Sequence, residues 1–167
     1  MGLQVSLQRY DVQVLGRRFQ CAGQMEPVGP LLDYLNKGNR STFPMFDVKL
    51  MPIESAGPLT AISRPEIILS AQELGVIYFL DSEYRRQVQM LRQFDRIIAY
   101  TPHAVLRGNF HRGAETRLRD LLDMLSGAFL AMTEVSIFPT TSLPGAFPQQ
   151  ADLLVVNRLH VQFYHSD

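Results

Sequence analysis

The same succession of local patterns runs through this chain twice. In the first half Tyr10-Asp11-Val12-Gln13-Val14 leads through a turn into Phe19-Gln20-Cys21-Ala22-Gly23-Gln24-Met25. In the second, Phe94-Asp95-Arg96-Ile97-Ile98 leads through a turn into Ala104-Val105-Leu106-Arg107-Gly108-Asn109-Phe110. Each reads as a strand, a turn and a second strand, with a glycine where a strand bulges or meets another backbone closely. Leu31, Leu32 and Leu35, and then Leu118, Leu121, Leu122 and Leu125, have the three-and-four spacing of a short amphipathic helix. Gly38 and Gly127 follow as stops. Apolar alternation through Val48 and Leu50, and through Val135 and Ile137, predicts a third strand. Loops from Pro52 to Pro65 and from Pro139 to Pro148 come next. Ile67-Ile68-Leu69 and Leu153-Leu154-Val155-Val156 then read as buried strands, and Val76–Phe79 and Val161–Tyr164 each close the pattern.

The spacing is nearly constant. Gly23 and Gly108 are 85 residues apart (108 − 23), Asp33 and Asp120 are 87 (120 − 33), and Phe43 and Phe129 are 86 (129 − 43). The expectation is an α+β fold made of two tandem β-β-α-β-β-β repeat units. These would form a mostly antiparallel sheet or small partial barrel and be related by a pseudo-twofold. The units would span residues 1–80 and 94–167, with a connector over 81–93. Tyr84, Val88 and Leu91 give that connector the spacing of a short helix. Either unit alone would lie near the lower size limit for a self-sufficient core, so the two should share one.

The combined pattern is a strand glycine, Leu-x-Asp-x-Leu-Asn, a phenylalanine, an acid followed by Val, and Asn-Arg-x-x-Val. It resembles an uncharacterised family of small bacterial β-rich proteins. Arg117-Leu118-Arg119-Asp120-Leu121-Leu122, Thr133-Glu134-Val135 and Asn157-Arg158-Leu159-His160-Val161 carry the likeness in the second half. Leu32-Asp33-Tyr34-Leu35-Asn36 carries it in the first, where Ala71-Gln72 stands in place of Asn157-Arg158. The resemblance covers nearly the whole chain and implies a fold without implying an activity. The layout is also distantly similar to Sm-like small barrels, as a geometric analogy.

Bulk properties narrow the function classes. Sixteen basic and sixteen acidic side chains leave no formal net charge. That removes the basic footprint with which most nucleic-acid binders neutralise phosphates. Cys21 is the single cysteine, so neither an intramolecular disulfide nor a cysteine-based zinc site is available. No apolar run approaches a membrane span and no leader pattern opens the sequence, so a cytoplasmic protein is expected. Met1-Gly2-Leu3-Gln4-Val5-Ser6 fits the loose myristoylation pattern, while Val5 and Leu7 read as the start of a strand.

Candidate residues fall into three groups. Gly23, Gly108, Asp33, Asn36, Asp120, Asp123 and Asn157 belong to the pattern and are expected to serve the fold, the carboxylates by tying short helices to neighbouring backbone N–H groups. His103, His111, His160 and His165 are the possible metal ligands, but the first two are eight residues apart along a strand, too far to share one ion. No metal site and no cofactor is expected. Catalytic motifs are absent: there is no nucleophile elbow, no phosphate-cradling glycine loop and no His-Glu-x-x-His. The long loop from Phe138 to Pro148 carries Leu143 and Phe147, which would either dock on a partner or fold back over the sheet.

These observations lead to a non-enzymatic protein-interaction or regulatory module, with a protein partner or self-association expected through Leu143 and Phe147. A first alternative is a small-ligand or RNA binder using the cleft between the units, with Arg107, Arg117 and Arg119 as anchors. A second is an enzyme whose site is dispersed along the sequence.

Overall fold

The computed structural model describes residues 7–38, 40–54 and 57–167. The candidate myristoylation segment, residues 1–6, lies outside them. The strands are β1 (Tyr10–Leu15), β2 (Phe19–Met25), β3 (Thr42–Pro52), β4 (Ile62–Ser70), β5 (Val76–Phe79), β6 (Gln93–Tyr100), β7 (Ala104–Arg112), β8 (Phe129–Pro139), β9 (Gln150–Asn157) and β10 (Phe163–Ser166). Two short helices, α1 (Leu31–Asn36) and α2 (Ser82–Arg86), and three 3-10 turns complete the elements.

All ten strands belong to one sheet in the order β10-β6-β7-β8-β9-β5-β1-β2-β3-β4, and every pairing is antiparallel. This overturns the α+β expectation: the chain is 49% strand and 13% helix, in a single sheet and not in two repeat units facing each other across a twofold. The physical reason lies in β5. It pairs with β1 on one side, and β9 supplies its other side through Val76↔Val156 and Ile77↔Val155. The sheet therefore runs on through β9 and β5, with the ten strands side by side.

The second expected helix is also missing. Leu118–Asp120 is a single 3-10 turn followed by further turns. Leu118, Leu121, Leu122 and Leu125 still turn inward against apolar neighbours. Their backbone carbonyls are used otherwise: Tyr164 Oη donates to Leu118 O at 2.8 Å, and the Arg158 guanidinium donates to Leu122 O and Leu125 O at 3.3 Å each. A segment this short gains too few internal bonds to hold a helix against such competition.

Two cores form. One gathers Val12, Val14, Met25, Leu31, Phe43, Met45, Val48, Ile77 and Phe79; the other gathers Leu15, Val76, Leu106, Leu130, Met132, Val135, Ile137, Leu154 and Val156. Strands β8, β9 and β5 serve both. Phe129, Ala131, Leu153 and Val155 enter the first core while Leu130, Met132, Leu154 and Val156 enter the second. A strand covered on both faces explains the unbroken apolar run Leu153-Leu154-Val155-Val156.

Bulges bend the strands around these cores. In β3, Asp47 and Val48 stand between the partners of Ala22 and Gln24, so two residues face Gly23. Glu134 and Val135 face Gly108 in the same way. Asp47 and Glu134 both have positive φ, 49° each. The extra residue shifts the alternation by one, so Phe43 and Met45 before it and Val48 after it all reach one core. Glycine is required opposite: a Cβ on Gly23 would stand 2.8 Å from Phe46 O, and one on Gly108 3.0 Å from Thr133 O.

Candidate interaction surface

The junction between β9 and β5 is built from apolar side chains and a small polar clasp. Val76, Ile77, Val155 and Val156 are all at most 2% exposed. Beside them, where β9 ends, Asn157 is buried and satisfied on every side. Its Nδ2 donates to Ala71 O (3.2 Å) and Leu74 O (3.0 Å), and its Oδ1 accepts from Leu159 N at 3.0 Å. His160 lies over Gly75, with Nε2 hydrogen-bonded to Gln72 O at 2.6 Å. A carbonyl can only accept, so Nε2 carries the proton. Burial holds the His160 pKa below the ordinary histidine value, outweighing the bond to Gln72 O, which favours the protonated ring.

Further along the same junction, Arg85 of α2 inserts its guanidinium. Nη1 donates to Phe79 O (2.6 Å) and Leu80 O (2.8 Å), and Nε donates to Asp152 Oδ1 (2.6 Å). Burial by itself would raise the Asp152 pKa, but the hydrogen bond and charge of Arg85 hold it below the usual carboxylate range.

The sheet has two outer strands among the described residues, β4 and β10, each hydrogen-bonded on one side only. Both are short of cover. On β4, Ile68 is 57% exposed; on β10, Phe163 is 59% exposed. The reading of Ile67-Ile68-Leu69 as a buried strand is thus corrected: β4 is an edge, half-buried at Ile67 and Leu69 and open at Ile68. The sequence signal for this is Pro65, flanked by Arg64 and Glu66, because a proline within a strand marks an edge.

The candidates read from the sequence lie elsewhere. Leu143 and Phe147 are half-buried against the second core. Their loop is latched to β2 by Gln20, whose Nε2 donates to Ala146 O at 2.9 Å and whose Oε1 accepts from Gly145 N at 3.0 Å. Arg107 is exposed and paired with Asp167 at 2.7 Å, an acid that also meets Arg96 at 3.1 Å. Arg117 is exposed, and Arg119 lies 3.9 Å from Asp120. All three arginines belong to the second half.

Asn36 and Phe129 exchange two hydrogen bonds of 2.9 Å each, a side-chain copy of a strand pair that fastens α1 to β8. Asp33 and Asp123 are exposed and Asp120 is half-buried. No side-chain hydrogen bond caps α1. His111 is engaged by Leu91 O and Thr133 Oγ1, and His103 by Thr141 Oγ1 and Arg17 O. Among the described residues no three of His, Cys, Asp and Glu converge as a metal cage, and no helix is long and apolar enough to cross a membrane. Cys21 is buried, which pushes its thiol pKa up to about 12. Comparison with protein-family models, with curated proteins and with solved structures gives no match to this chain.

Proposed function

We propose that this chain is a non-enzymatic interaction module that acts in the cytoplasm and joins another polypeptide by strand addition at the edges of its sheet. The observation that carries this reading is the pair of open apolar edges, Ile68 on β4 and Phe163 on β10. An outer strand presents unpaired N–H and C=O groups, and a partner strand satisfies them while covering the side chains. The contact surface is therefore placed on the edges and not on Leu143 and Phe147, which are spent on the second core. An RNA or small-ligand site at Arg107, Arg117 and Arg119 has less support, since the charge of Arg107 is shared with Asp167. A dispersed catalytic site also has less support, since the only thiol is buried and held protonated.

The test is co-purification from the source cell with a tagged chain, run beside the Ile68→Lys and Phe163→Lys variants after nuclease treatment. The expected result is a stoichiometric polypeptide, the chain's own untagged copy included, that one or both variants lose while keeping their circular dichroism spectra. Capture that both substitutions leave unchanged would put the contact surface elsewhere, and no captured polypeptide would remove the reading.

A further inference from the structure

We infer that the partner at these edges is a second copy of the chain, added head to tail so that β10 of one molecule lies against β4 of the next. This rests on the strand-addition reading above and names its partner. The template is the junction already inside the molecule. Five strands in the order β10-β6-β7-β8-β9 are followed by five in the order β5-β1-β2-β3-β4, so β9 and β4 occupy the same place in their stretches, as do β5 and β10.

The pairings fix which residues correspond. Val12 faces Gly23 and Ile97 faces Gly108 at the two bulges, so Leu15 matches Tyr100. Val76 pairs with Leu15 and Phe163 with Tyr100, which sets Phe163 in the place of Val76 and Tyr164 in the place of Ile77. On the other side, Asp47 and Glu134 share their positive φ, so Thr42 matches Phe129. Thr42 pairs with Ser70 and Phe129 with Asn157, which sets Leu69 in the place of Val156 and Ile68 in the place of Val155. The internal contacts Val76↔Val156 and Ile77↔Val155 then translate between molecules into Phe163 opposite Leu69 and Tyr164 opposite Ile68.

Exposure agrees with that translation. Val155 is fully buried at the junction, whereas Ile68 in the same place is 57% exposed; Val76 is 2% exposed, whereas Phe163 is 59% exposed. An apolar side chain of this size open at a strand edge is what a missing neighbour leaves behind. The length also fits. Pro65, Arg64 and Glu66 blunt the first part of β4, leaving Ile67–Ser70 available, and the internal junction uses only two residue pairs.

The joint between molecules lacks part of the internal clasp. Ser70 stands where Asn157 makes its two donor bonds, and Gln162 stands where Gly75 lets His160 approach. The contact between copies is accordingly weaker than the one within the chain, and its assembly depends on concentration. Because the two faces differ, the interface is heterologous and propagates until it closes into a ring or continues as a filament.

Sedimentation velocity of the purified full-length chain, from nanomolar to high-micromolar concentration, is the direct test. The expected result is a mass above the monomer that grows with concentration. Ile68→Lys alone and Phe163→Lys alone should each stay monomeric, whereas Leu80→Lys, at an exposed residue directly after the central strand β5, should assemble like the parent. Mixing the two edge variants should restore a dimer, since one keeps its β10 edge and the other its β4 edge. Circular dichroism of each variant checks that the fold is kept. A strictly monomeric parent chain overturns the inference, as does an oligomer that both edge substitutions leave intact or a mixture that fails to pair. Edge-dependent capture of a different protein by a monomeric parent would leave the strand-addition reading standing and remove self-assembly alone.

Discussion

Burial holds His160 as a neutral imidazole against the opposing pull of one carbonyl. The ring is 3% exposed, its Nε2 proton is given to Gln72 O, and Arg17, Glu73 and His103 supply the nearby charges that also act on it. Its pKa in the folded chain lies below the unfolded value, so the unfolded state binds more protons in the interval between the two. Stability contributed by the neutral ring is therefore present above the unfolded pKa, about 6.5, and is lost as pH falls toward the folded one. Urea unfolding between pH 7.5 and 5 should show an unfolding free energy that drops on acidification, by at most about 1.4 kcal/mol per pH unit for this single proton. His160→Gln should flatten that slope over the same interval. An unchanged slope in the variant would assign the acid sensitivity to other groups. Nothing in the sequence marked this histidine out from the other three, because the carbonyl that fixes it comes from Gln72, 88 residues away.

At the scale of elements, glycine decides how closely strands and turns can meet. Gly75 sits between β1 and β9: its N–H donates to Leu15 O at 3.1 Å, and its carbonyl accepts from Asn157 N at 2.7 Å. A Cβ here would stand 2.6 Å from Leu15 O and would run into the His160 ring. Gly75→Ala should lower stability by about 2–3 kcal/mol, the cost of overpacking a close contact that cannot relax. Gly113→Ala, where the nearest atom is the Thr116 hydroxyl at 3.7 Å, should be close to neutral. Equal thermal midpoints for the two variants would contradict this account. The bulge glycines Gly23 and Gly108 were legible in the sequence because both stand alone within apolar strand patterns. The leucines at 118–125 misled for a physical reason: inward spacing of three and four is shared by a helix and by successive turns, and only Tyr164 and Arg158 decide between them. The open edge at Ile68 was misread because an apolar triplet looks alike in the middle of a sheet and at its margin. Phe163 gave no signal of its own, since what leaves it open is the strand order.

For the molecule as a whole, the question is whether two cores mean two independently stable bodies. Alternate side chains of β9 answer it, since Val155 enters the first core and Val156 the second from one backbone. Melting either core frees β9, removes the partner of β5 and exposes the inner face of β8. Phe129 reinforces the coupling, packing edge-on against Phe43 at 6.1 Å while its backbone is bound by Asn36. Each half is also small enough that losing a shared strand removes a large fraction of its buried surface. Calorimetry under monomeric conditions should therefore give a single transition. Val155→Ala and Val156→Ala should each move that whole transition down by a similar amount, about 2 kcal/mol, although their cavities open into different cores. Near-ultraviolet signals from the first core, where Tyr34 and Phe43 stack edge to face at 5.5 Å, should fall at the same temperature as the heat peak in both variants. Two resolved peaks, with each substitution moving only one, would instead show that β9 can be released by one core while the other holds it. The β9–β5 junction within the chain would then be a hinge between bodies, and the assembly inferred above would be a flexible chain.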